Sequence, residues 1–106
     1  MNHVVLTGRI TKDIDLRKTP SGKSVVSFTL AVDKRKGEAD FISCVAWNQT
    51  AEAMKRFLHK GSKIAINGKL SVRSFEKNEE KRYVTEVVAD EVEFLDSKKS
   101  DDGLPF

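Results

Sequence analysis

The sequence has few of the residues that build disulfide frameworks, metal centres or membrane spans. Its 106 residues include a single cysteine, Cys44, and two histidines, His3 and His59. One cysteine excludes an internal disulfide framework, and with two histidines it offers no metal-ligand spacing. The first twenty residues carry six charged side chains and no long apolar stretch, which argues against a secretory signal peptide or a membrane span there. We therefore expect a cytoplasmic protein without metal or cofactor.

Catalytic motifs are also missing. Ser21-Gly22-Lys23-Ser24 resembles the end of a phosphate-binding P-loop, but the first glycine of that motif would fall at Arg17. A β-rich run also follows where the P-loop needs a helix. No Gly-x-Ser-x-Gly elbow occurs. Cys44 lies in the apolar run 41–47, where a buried and inert thiol is expected. We predict no catalytic residues and therefore a protein that is not an enzyme.

The charge that is present is unevenly placed along the chain. Residues 1–95 hold 17 basic and 13 acidic side chains, a net charge of +4, whereas residues 96–106 have a net charge of −1. A mildly basic body predicts a polyanionic partner, and the acidic tip predicts a different one.

Alternation of apolar and polar residues dominates the body of the chain. In the fourth of five such runs, Ile64, Ile66, Gly68, Leu70 and Val72 alternate with polar residues, so we expect them on one buried face. The runs predict five strands with one buried face each, at 3–10, 25–32, 41–47, 63–75 and 83–95.

One segment, 49–60, has the period of a helix instead. Met54, Phe57 and Leu58 stand at i, i+3 and i+4, and Asn48 is placed to cap the start. The sequence therefore predicts three strands, one helix and two strands, in that order along the chain. That order predicts an all-β OB-fold, a five-stranded Greek-key barrel with one short helix between strands 3 and 4. Gly8 and Gly68 fall where strands must bend to close such a barrel.

Aromatic and basic side chains share the polar faces of two predicted strands. Phe41 and Trp47 lie on one face of the third run, and Lys69, Arg73 and Phe75 lie on the face opposite the isoleucines of the fourth. Single-stranded nucleic acid needs such a surface, because bases stack on rings while cations follow the phosphates. The alternative is that the rings pack under a neighbouring loop or subunit. The pattern alone leaves both possibilities open.

Several stretches resemble the bacterial single-stranded DNA-binding proteins. Residues 2–13, NHVVLTGRITKD, resemble the opening strand of that family, and the similarity continues in register to about residue 95. The final DDGLPF, residues 101–106, looks like the family's acidic tip. Further matching stretches are Leu16-Arg17, Thr19-Pro20-Ser21-Gly22, Phe28-Thr29-Leu30-Ala31-Val32, Leu58-His59-Lys60-Gly61-Ser62, Gly68-Lys69-Leu70 and Tyr83-Val84-Thr85-Glu86-Val87.

The resemblance implies a homotetramer that coats single-stranded DNA without sequence preference in replication, recombination and repair. The family's stacking rings map onto Phe41, Trp47 and Phe75. A further stacking ring that some members carry in the hairpin between the second and third strands has no counterpart here, where Lys34, Arg35 and Lys36 stand instead. A basic position of the family's third strand is Ser43 in this sequence. Both departures imply weaker stacking, partly offset by charge. The expected DNA-binding residues are Phe41, Trp47, Phe75, Lys69, Arg73, Arg9, Lys34, Arg35 and Lys36.

The expected organisation is a DNA-binding domain at 1–95, a short linker at 96–100 and a protein-interaction tip at 101–106. In the tip, the apolar side chains fit a cleft on a replication or repair protein and the acids fit a basic rim; the alternative is an ordinary frayed chain end. The expected partner-binding residues are Asp101, Asp102, Leu104, Pro105 and Phe106.

The near absence of the family's long linker implies a phage-encoded or specialised member, acting in the bacterial cytoplasm at the nucleoid or in a phage-infected cell. A second function hypothesis is a primosome or replication-restart adaptor on the same fold, whose rings would be buried at a protein interface. A third is an RNA-binding OB module.

Overall fold

The computed structural model describes residues 1–95 and consists mainly of strands. A single turn of 3₁₀ helix, Arg35–Gly37, joins the third and fourth strands. The elements are β1 Val4–Ile10, β2 Leu16–Lys18, β3 Ser24–Asp33, β4 Ala39–Trp47, α1 Asn48–Phe57, β5 Lys63–Lys77 and β6 Glu80–Phe94.

Five of these strands close into a barrel. The sheet order is β1-β5-β6-β4-β3-β2, and an additional β1–β3 pairing joins the two sides. Every pairing is antiparallel except β4–β6, which is parallel and aligns Cys44 with Val87 and Val45 with Val88. The short β2 pairs with β3 at the end of the sheet and is not part of the barrel, which consists of β1, β3, β4, β5 and β6. The helix α1 therefore lies between the third and fourth barrel strands. The predicted OB-fold is confirmed.

The barrel interior is filled by the apolar sides of the alternating strands. Side chains on these faces are almost fully removed from water, and α1 contributes Met54 and Ala51 to the same core. Burial of each large side chain stabilises the fold by about 1.5–3 kcal/mol. The largest buried side chains are Ile10, Leu30, Met54, Ile64, Ile66, Val26 and Cys44.

The helix differs from its prediction at both ends. Trp47 takes the N-cap position without a side-chain hydrogen bond, and Asn48 is the first helical residue, with φ 55°. The helix ends at Phe57, because Leu58 is extended, with φ −111° and ψ 154°. Leu58 reaches the core from outside the helix, whereas Phe57 is exposed and contacts Phe94, with ring centroids 5.7 Å apart.

Beyond the residues that pair with β4, strands β5 and β6 continue past the barrel as a two-stranded ribbon, 71–77 paired with 80–86. Its turn consists of Asn78 and Glu79, both with positive φ (54° and 66°), as a two-residue type I′ turn requires. Leu70 and Val72 are 45% and 60% exposed, so the prediction that they are buried was wrong. Both residues are on the same side of β5 as Ile64, but Leu70 lies at the base of the ribbon and Val72 on it, where the packed interior has ended.

A β-bulge marks the base of this ribbon. Asn67 pairs with Glu91 and Gly68 with Ala89, which leaves Asp90 as an extra residue in β6. The bulge shifts the inward positions of β6 from even numbers, such as Val92, to odd numbers, such as Ala89.

The strand glycines permit close approach of neighbouring backbone. A Cβ on Gly68 would clash with the carbonyl oxygen of Val88, and one on Gly8 would clash with that of Ala31. These are points where the barrel strands cross closely, so the two glycines lie where barrel closure was expected to need them.

Candidate nucleic-acid interface

Strand β4 presents two aromatic rings on the outside of the barrel. Its inward residues include Cys44 and Ala46, which are buried, so the alternating residues Phe41, Val45 and Trp47 point outward. Phe41 is 68% exposed and Trp47 is 39% exposed. Val45, between them, is buried beside the paired strand β6. The rings therefore lie at the two ends of one strand, about 20 Å apart along it.

Strand β5 places the second group on the same outer face. Lys69 pairs with Val88, which in turn pairs with Val45, and residues paired across a ladder share a face. Phe75, six residues along from Lys69, keeps this outward orientation and is 41% exposed. The structure thus brings the rings of β4 and β5 to one outer surface with β6 between them. We call this surface the aromatic face; it comprises Phe41, Trp47, Lys69, Arg73 and Phe75.

One cation of this face has an acidic partner that the sequence pattern did not reveal. Arg73 Nε donates to Glu86 Oε1 at 3.0 Å. The Glu86 side chain is 14% exposed and that of Arg73 is 60% exposed. The pairing follows from the hairpin register, since Ser71 is opposite Glu86. Recognising the Asn78-Glu79 turn would have predicted it.

Four other predicted cations lie around the Phe41 end of β4. Lys34, Arg35 and Lys36 form the exposed turn between β3 and β4, and Lys34 Nζ is 3.5 Å from Asp40 Oδ1. The turn directly precedes the strand that carries Phe41.

Arg9 approaches the same end from the other side. It pairs with Ala31, which pairs with Phe41, so its backbone lies two strands, about 10 Å, from that of Phe41. The Arg9 Nη1 donates to the carbonyl oxygen of Gly61 at 2.8 Å. The aromatic face is therefore flanked by basic residues at one end.

A cavity of about 360 Å³ lies on the outer side of the barrel beside Glu86. Hydroxyl groups of Ser27, Thr29 and Ser43 contribute to its lining, together with the loop 11–15 that follows β1. The lining also includes Asp13, Asp15 and Glu86, so the wall beside β4 is polar and partly acidic.

Cys44 is buried beneath this cavity, as predicted. Its Sγ donates to the carbonyl oxygen of Ile42 at 3.5 Å. Burial, and secondarily the charge of Glu86, raises the pKa of the Cys44 thiol from 9.0 to about 12. Because the thiolate is the nucleophilic form, this cysteine is unreactive at neutral pH.

Within residues 1–95 there is no group of three or more His, Cys, Asp or Glu side chains placed to hold a metal ion. None of the helices described is both long and apolar enough to cross a membrane. Ser21-Gly22-Lys23-Ser24 forms the end of a turn and the start of β3, which is not the setting of a P-loop. The predicted linker 96–100 and tip 101–106 lie outside the described residues.

Comparison with known proteins identifies the family. Residues 1–95 match the single-strand binding protein family. The chain is 50% identical over 110 residues to "Single-stranded DNA-binding protein 3" of Listeria innocua serovar 6a, covering 97% of this chain and 69% of that one. It is 52% identical over 103 residues to a "Single-stranded DNA-binding protein" of Clostridium tetani, covering 91% and 71%. The fold, the aromatic face and these matches agree: the chain belongs to the single-strand binding protein family.

Proposed function

We propose that this protein binds single-stranded DNA without sequence preference, through the aromatic face. The observation that carries the proposal is that three exposed rings and two cations share one outer surface of the barrel. Each base stacked on a ring contributes about 1–3 kcal/mol, and stacking accepts any base. The basic residues near Phe41 supply attraction to phosphates. The names of the relatives support the same ligand.

Fluorescence of Trp47 provides a direct test. It is the single tryptophan of the chain, and it is 39% exposed on the proposed face. Titration with a dT oligonucleotide at low salt should quench its emission, while duplex DNA of the same length should quench it much less. Absence of quenching would refute the proposal and favour the replication-restart adaptor, in which the rings are covered by a protein partner.

We further propose that this binding protects single strands during replication, recombination and repair, in the bacterial cytoplasm, and that the protein acts as a homotetramer without catalytic activity. Family membership supports this assignment. Apolar side chains exposed away from the aromatic face, among them Val5 at 64% and Val72 at 60%, provide surface for subunit contacts. Light scattering coupled to gel filtration should give four times the chain mass of 11.9 kDa; a mass of one chain would contradict the tetramer.

The tip, 101–106, is proposed to recruit replication or repair proteins. Its two acids, followed by Leu104, Pro105 and Phe106, fit an apolar cleft with a basic rim. Deletion of Phe106 should abolish capture of these partners from nuclease-treated host lysate, while affinity for a dT oligonucleotide stays equal or rises slightly. Identical sets of captured proteins with and without Phe106 would show an ordinary chain end.

A further inference from the structure

Glu86 places a carboxylate within the surface proposed to bind a polyanion. It shares the outer face with Lys69 and Arg73, because it is opposite Ser71 in the β5–β6 ladder. It also lines the outer cavity together with Ser43 of β4. The carboxylate thus lies between the strand that carries Phe41 and Trp47 and the strand that carries Phe75.

The contacts of Glu86 determine what can approach it. Its Oε1 accepts from Arg73 Nε, and the side chain is 14% exposed. The hydrogen bond from Arg73 Nε holds Oε1 of the carboxylate in place. A phosphate placed at Glu86 would meet a like charge in a partly desolvated site, where repulsion is stronger than in water. A phosphate is therefore disfavoured at Glu86, which leaves the carboxylate available to the polar edge of a base.

A carboxylate accepts hydrogen bonds and donates none. Cytosine presents an N4 amino group that donates to such an acceptor. Uracil differs from cytosine at this edge by carrying O4, an acceptor that a carboxylate repels. The cavity beside Glu86, at about 360 Å³, provides room at the base edge.

We propose that Glu86 accepts a hydrogen bond from the exocyclic amino group of a bound base, and thereby raises the affinity for cytosine relative to uracil or thymine at this one position. The proposal rests on the proposed function and assigns to this one position a base preference that stacking alone does not provide.

The test compares oligonucleotides of deoxycytidine and deoxyuridine, on the order of ten nucleotides long so that they fit one domain. Affinities are measured by Trp47 quenching at pH 8 and constant salt, for the intact protein, Glu86→Gln and Glu93→Gln. The Glu93→Gln variant is the matched control, since Glu93 is an exposed residue of the same strand beyond the bulge. Glu93→Gln removes the same single negative charge as Glu86→Gln, but Glu93 is not part of the aromatic face.

Glu86→Gln should lower the ratio of dC to dU affinity about three- to tenfold, because glutamine both donates and accepts. Glu93→Gln should leave that ratio unchanged, whichever oligonucleotide binds more tightly in absolute terms. An unchanged ratio in Glu86→Gln, with binding retained, would overturn the inference. Failure of the intact protein to bind either oligonucleotide would instead refute the proposed function.

A second measurement covers the case in which Glu86→Gln does not fold. Oligonucleotides containing N4,N4-dimethylcytosine lack the donor hydrogens, and they can be titrated against the intact protein. Dimethylation should lower the affinity of the dC oligonucleotide relative to dU by the same three- to tenfold. If dimethylated and unmodified dC oligonucleotides bind equally well, Glu86 does not accept from the amino group.

Discussion

Replacement of Phe41 with alanine separates a base-stacking ring from a structural one. Phe41 is 68% exposed, so about a third of the side chain contributes to packing. Because truncation of a fully buried phenylalanine costs about 3–5 kcal/mol, we expect Phe41→Ala to lower the free energy of unfolding by about 1–1.5 kcal/mol. The fold should remain intact.

The same substitution should also weaken binding to single-stranded DNA. Loss of one stacked base costs about 1–3 kcal/mol, which corresponds to a dissociation constant about five- to 150-fold higher. Phe57→Ala is the matched control, because Phe57 is 60% exposed but belongs to α1, away from the aromatic face. Both variants are titrated with a dT oligonucleotide, with Trp47 quenching as the signal, and both are unfolded in urea.

Two results would refute the reasoning. If Phe41→Ala and Phe57→Ala weaken binding equally, position on the aromatic face does not determine stacking. If Phe41→Ala lowers the free energy of unfolding by several kcal/mol, the ring is a packing element and its outward assignment is wrong.

Three further predictions concern charge, ionisation and backbone approach. Lys69→Ala should reduce the steepness of the plot of log affinity against log salt concentration by about 0.7. Arg73→Ala should reduce it by less, because Glu86 already neutralises the charge of Arg73. An unchanged slope in both variants would show that other cations contact the phosphates. Folding raises the pKa of the Cys44 thiol from 9.0 to about 12, so the unfolded chain loses this proton at a lower pH than the folded chain. As the pH rises between these two values, the free energy of unfolding should therefore fall by about 1.4 kcal/mol per pH unit. Urea unfolding of Cys44→Ala should lack that component, and an identical pH dependence would contradict it. Gly68→Ala should destabilise the protein by about 2 kcal/mol or more, because its Cβ meets the backbone of Val88; an unchanged melting temperature would contradict this.

Much of the barrel could be predicted because alternation reports directly which side chains share a face. Inward positions such as Ile64 and Leu30 are buried where the pattern placed them. The strand Leu16–Lys18 was missed because three residues carry too little periodicity to detect. The pattern also gave no indication that the packed interior ends before Leu70, since alternation identifies a side of the strand and not what covers it.

The candidate site was predictable to a similar extent and for the same reason. The outward placement of Phe41, Trp47 and Phe75 follows from the strand period. The contact between Arg73 and Glu86 does not, because it depends on the register of a hairpin. That register is determined by the positive φ angles at Asn78 and Glu79, and neither is a glycine that would have marked the turn.

The ribbon formed by β5 and β6 places a constraint on how this hairpin can change in length. Adding one residue to each strand would preserve the pairing but turn Phe75 to the opposite side. Adding two residues to each strand would restore its side and move it outward by about 6.7 Å. Length changes within the paired strands that keep the ring on its face therefore come in multiples of four residues. The distance between Phe75 and the barrel, and with it the length of single-stranded DNA that the domain can contact, can thus change in discrete steps. Such changes require insertions or deletions only in the ribbon, outside the barrel core.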